Sequence, residues 1–60
     1  MREQDRNRLV CAQGSIVAAM RLMNDIPVKA LNSKQMVKLL HVYDGLDRQR
    51  LEIKDILAST

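Results

Sequence analysis

Two apolar seams of helical spacing on either side of a single proline leave this chain few folds to choose from. In the first half Leu9, Ala12, Ile16, Ala19 and Met23 follow one another in steps of 3 and 4. In the second half Met36, Leu39, Tyr43, Leu46, Arg50, Ile53 and Leu57 do the same. That spacing is the stripe a helix presents to another helix. Val10, Val17 and Met20 widen the first stripe, and Leu40, Val42, Leu51 and Ile56 widen the second. Strand alternation fits badly, because Ile16 to Met20 is apolar at five successive positions. The spacing predicts helices over about residues 3–24 and 33–58.

Between them lies Asp25-Ile26-Pro27-Val28-Lys29-Ala30-Leu31. Pro27 has no amide proton and drives Ile26 toward extended backbone, so one helix cannot run through the segment. A connection of this length suits antiparallel neighbours. The second helix carries the clearest start signal. Asn32 can cap it, Gln35 stands where a capping box reaches back, and Leu31 can staple onto Met36. Asp44 and Arg48 stand four apart in the favourable order for an ion pair. Gly45 disfavours a helix interior, but Leu46 keeps the seam in register across it, which argues for a continuous helix. In the hairpin Gly14 and Gly45 fall at one height, where two small residues would let the backbones cross closely. The expected architecture is all-α: one antiparallel two-helix hairpin over residues 1–60.

A domain this short buries only about 60% of its unfolded surface and is marginal alone. Disulfides, a metal or oligomerisation are the usual remedies. Cys11 is the only cysteine and His41 the only histidine, so no internal disulfide forms and no zinc site of four ligands can be assembled from them. Oligomerisation remains, and the hairpin is expected to dimerise into a four-helix bundle. With no Phe, no Trp and one Tyr, its core must come from Leu, Ile, Val, Met and Ala. The dimer and core seam is assigned to Leu9, Ala12, Ile16, Ala19 and Met23 against Met36, Leu39, Tyr43, Leu46, Ile53 and Leu57, with Arg50 the odd member. One charge in such a seam either fixes register or reaches out to water along its aliphatic stem.

Catalysis is not expected. A reactive Cys11 would need a base or a positive field beside it, and its neighbours are Val10 and Ala12. The carboxylates Asp44, Asp47, Glu52 and Asp55 alternate with Arg48, Arg50 and Lys54 and read as a solubilising face. No phosphate loop, serine elbow or zinc signature occurs, so no cofactor, metal or small-molecule ligand is expected. The longest apolar stretch, Ile16 to Met23, is already broken by Arg21, well short of a membrane span. The charged N-terminus lacks the apolar run of an export signal, which points to the cytoplasm.

The formal charge of +3 permits contact with nucleic acid without demanding it. Arg2, Arg6 and Arg8 open the first helix, while Lys34, Lys38, His41 and Arg48 follow one side of the second. With Arg50, Lys34, Lys38, His41 and Arg48 are the candidate partner contacts. A helix-turn-helix reading is weak, because that motif wants a short helix pair on a third helix.

The segment IPVKALNSKQMVKLLHVYDGLDRQRLEI, residues 26–53, resembles the helical tail of bacteriophage terminase small subunits and allied small phage proteins. Leu31, Asn32, Lys34, Met36, Val37, Leu39 and Leu40 match the capped start of that pattern. Leu46, Arg48, Arg50, Leu51 and Glu52 match its arginine-rich continuation. A terminase small subunit also carries a DNA-binding module and an oligomerisation core, and 60 residues cannot hold both. The resemblance therefore implies a helical phage or prophage accessory protein and transfers no packaging activity. The expected function is non-enzymatic: binding a host or phage regulatory protein through a helical face. A small basic DNA-binding regulator and a subunit of a larger phage assembly are the alternatives.

Overall fold

The computed structural model describes residues 1–59. Helix α1 spans Glu3–Asn24 and helix α2 spans Ser33–Ala58, with a single 3-10 turn at Val28–Ala30 between them. The two helices pack antiparallel, so the all-α hairpin expected from the spacing is the observed fold. The first helix ends where the chain can no longer supply donors. The amides of Asp25 and Ile26 still reach back to Arg21, Leu22 and Met23, and Pro27 offers none. Pro27 is extended at φ −67° and ψ 138°, and its carbonyl accepts the amide of Ala30 at 2.9 Å to set the 3-10 turn. That turn, absent from the sequence reading, shortens the path between the helices.

Helix α2 begins on a complete capping box. The amide of Gln35 donates to Asn32 Oδ1 at 2.8 Å, and the amide of Asn32 donates to Gln35 Oε1 at 3.1 Å. Two donors that a helix start leaves unpaired are thereby satisfied. The helix then runs unbroken through Gly45, whose φ is not positive. At the opposite end of the rod an Arg6 guanidinium N–H donates to the Leu57 carbonyl at 3.3 Å, joining the first turn of α1 to the last turn of α2. A cation there suits the negative end of the helix dipole.

Three details depart from what the spacing predicts. Ala12 is exposed, while Gln13 is half-buried and Met20 is the one buried side chain among the described residues. Helix α1 is thus turned by about 50°, half the angle between successive residues, relative to the simple 3-4 seam. The physical reason is size. Turning Met20 and Val17 inward covers more apolar surface than turning in Ala12. The other assigned residues (Leu9, Ile16, Ala19, Met23, Met36, Leu39, Tyr43, Leu46, Ile53 and Leu57) are all half-buried.

The second correction concerns the glycines. A Cβ placed on Gly14 or on Gly45 would meet nothing within 4 Å, so there is no close backbone crossing. The third concerns charge. Arg8 pairs with Asp5 at 3.7 Å and Arg50 with Asp47 at 2.9 Å, whereas the Asp44–Arg48 pair expected from spacing is not made.

The hairpin is extended. It measures 45 × 15 × 11 Å with a radius of gyration of 14.3 Å, against about 10 Å for a compact domain of this length. Among the described residues no helix is long and apolar enough to cross a membrane.

Candidate interaction surfaces

Among the described residues only Met20 is buried, at 9% exposure, so nearly every side chain lies at a surface. Its surfaces are best resolved helix by helix. Flanking the contact stripe of α1, Val10, Val17 and Asn24 recur every seven residues on one side, and Asp5, Ala12 and Ala19 on the other. On α2 the two flanks are Leu40, Asp47 and Lys54, and Gln35, Val42, Gln49 and Ile56. Residues seven apart lie on one side of a helix, so each set forms an edge of a broad face.

One broad face contains an open groove of about 330 Å³ lined by Val17, Met20, Arg21, Asn24, Tyr43, Asp47 and Arg50. Its polar groups are largely spoken for. The Arg50 guanidinium donates twice to Asp47 Oδ1, at 2.9 and 3.2 Å. The Asn24 amide nitrogen donates to the Tyr43 hydroxyl at 3.3 Å. The pair at Asp47 resolves the puzzle of a charge in the seam: Arg50 lies at its edge, with 30% of its side chain exposed. This groove fixes the relation of the flanks. It joins the Val17 side of α1 to the Asp47 side of α2, so the Ala12–Ala19 edge and the Val42–Ile56 edge share the opposite face.

A second depression of about 250 Å³ lies at the connection, lined mainly by Met23, Ile26, Val28, Met36, Leu39 and Leu40. It is apolar and shallow and brings no titratable side chain to its wall except the Tyr43 hydroxyl. Among the described residues no three His, Cys, Asp or Glu side chains gather closely enough to hold a metal ion. Cys11 is a free, exposed thiol, and the hydroxyl of Ser15 donates to its carbonyl at 3.0 Å.

The candidate partner contacts divide in two. Lys34, Lys38, His41 and Arg48 are all exposed and fall on positions 34, 38, 41, 45, 48 and 52 of one helical row. That row runs along the back of α2, away from α1, with Gly45 as a gap and Glu52 at its end. From Lys34 to Arg48 it measures about 21 Å at 1.5 Å per residue. Arg50 does not belong to it, because its guanidinium faces the groove and is held by Asp47. Arg2, Arg6 and Arg8 stand at the far end of the rod, where Arg6 meets Leu57. The spacing carries no sign of the Asn24–Tyr43 bond, and it puts Met20 on the flank of the stripe where the structure puts it at the centre.

Compared with protein-family models, with curated proteins and with solved structures, the chain matches none of them.

Proposed function

We propose that this protein is a non-enzymatic interaction module, of the phage or prophage accessory type, that binds a regulatory protein of host or phage through the outer face of α2. The observation that carries the proposal is the row of Lys34, Lys38, His41 and Arg48, exposed along one side of an unbroken helix. The phage attribution rests on the pattern in residues 26–53 alone. The module works as a homodimer, because a hairpin with one buried side chain among its described residues leaves the rest of its seam half-covered or exposed. A row with three basic side chains, Lys34, Lys38 and Arg48, on one helix suits an acidic partner surface, where charge sets orientation and encounter rate.

Charge reversal tests the row. A Lys38→Glu, Arg48→Glu double variant should lose the proteins that the wild-type chain retains from host extract, and moderate salt should release them from the wild type. Equal retention by both chains would sink the reading. The same row could instead meet phosphates. Titration against duplex DNA at two salt concentrations separates the cases, since affinity that appears at low salt and collapses with added salt marks a backbone contact.

A further inference from the structure

The groove-bearing face and the face behind it differ in one respect that matters for self-association. Beside the groove stand Arg21, Asp47, Arg50 and Lys54. The opposite face carries Asp5 at the end of its α1 edge and no charge over its middle: Ala12 and Ala19 on α1 lie beside Val42, Gln49 and Ile56 on α2. Val42 is 49% exposed and Ile56 45% exposed in the single chain. A face of this kind has either a partner or a cost in solubility.

The exposed area says how large that partner's footprint is. A compact folded chain of 6.9 kDa exposes about 4,000 Å². The hairpin exposes 4994 Å², roughly 1,000 Å² more than that expectation. A stable interface covers about 800 Å² on each partner. The excess is thus of the size one interface removes.

From the excess area of the whole chain and the neutrality and relief of this face, we infer that Ala12, Ala19, Val42 and Ile56 mark the surface on which a second copy of the hairpin docks. The inference deepens the homodimer part of the reading above and leaves the cationic row outside the interface. In a twofold interface each patch meets its own counterpart, so an uncharged patch escapes like-charge repulsion. Its relief is also self-complementary. The β-branched ridge of Val42 and Ile56 runs beside a low strip of alanine, and under the twofold the ridge of one copy lies over the strip of the other. Arg50 and the groove stay on the outside of the resulting four-helix bundle, as do Cys11 and the row from Lys34 to Arg48.

Sedimentation of the full chain under reducing conditions tests both the state and the face. The wild type should sediment at twice the chain mass at micromolar concentration, and its melting temperature should rise with concentration. Val42→Glu and Ile56→Glu, each at an exposed position, should weaken association at least 100-fold. Val37→Glu and Val10→Glu, the same kind of change on the back of α2 and on the groove side, should change it less than about threefold. A wild-type chain that stays monomeric and folded at 100 µM would overturn the inference. So would a Val10→Glu effect as large as that of Val42→Glu. Neither result bears on partner capture by the cationic row, which charge reversal at Lys38 and Arg48 reads separately.

Discussion

At the scale of single residues, the informative positions are those where a side chain is missing or misplaced. Gly14 and Gly45 sit inside helices with open space where a Cβ would go. Neither serves a turn, and neither has positive φ. Gly14→Ala and Gly45→Ala should therefore each stabilise the fold by about 1 kcal/mol, the helix-propensity difference. For a chain of this size that corresponds to a rise of about 4–8 °C in melting temperature. A loss of stability at either site would restore the close crossing that the spacing suggested. Arg50 makes a second case. Its pair with Asp47 is half open to water, and such exposed pairs contribute at most about 1 kcal/mol. Arg50→Met should be neutral or stabilising, because methionine keeps the buried stem and drops the charge. Thermal melting of the variant decides this: a fall of several degrees would assign Arg50 a register-fixing role.

At the scale of elements, each helix was legible to the extent that its ends were chemically marked. The Asn32–Gln35 box could be read from residue types three apart, and both of its hydrogen bonds form. Asn32→Ala should cost about 1 kcal/mol, within the 0.5–2 kcal/mol range of lost caps, and should fray the first turn of α2 as judged by helicity. The rotation of α1 was not legible. Spacing in 3-4 steps is satisfied equally by the row through Ala12 and the row through Gln13 and Met20. Only the comparison of methionine with alanine as burial partners chooses between them, and that choice depends on what α2 presents opposite. The same limit applies to Arg50. Its seam position is plain in the sequence, but a one-turn pairing with Asp47 outcompetes a buried role only once the groove exists. The partner contacts were partly legible: Lys34, Lys38, His41 and Arg48 share a row because helical geometry is rigid, whereas Arg50 falls by the same geometry on the seam side of α2.

At the scale of the molecule, both ends of the rod carry cations. The connection end leads into Lys34 and Lys38, while at the other end Arg6 meets the last turn of α2. Arg6→Ala should destabilise the hairpin by about 0.3–1 kcal/mol at low ionic strength, and added salt should shrink the difference. Denaturant melts of both chains at two salt concentrations measure it. A salt-independent loss would mean that Arg6 contributes by packing its stem and not by its charge.

The scarcity of interior has a consequence for lifetime. A chain in which Met20 is the one buried side chain among the described residues gains stability by mass action from whatever covers the remainder. When the chain is scarce its folded fraction falls, and proteolysis follows the open population whenever opening is fast relative to cleavage. The half-life of such a protein should lengthen as its own abundance, or that of its partner, rises. Survival of the chain then becomes a readout of occupancy, and an unaccompanied copy is the first to be cleared.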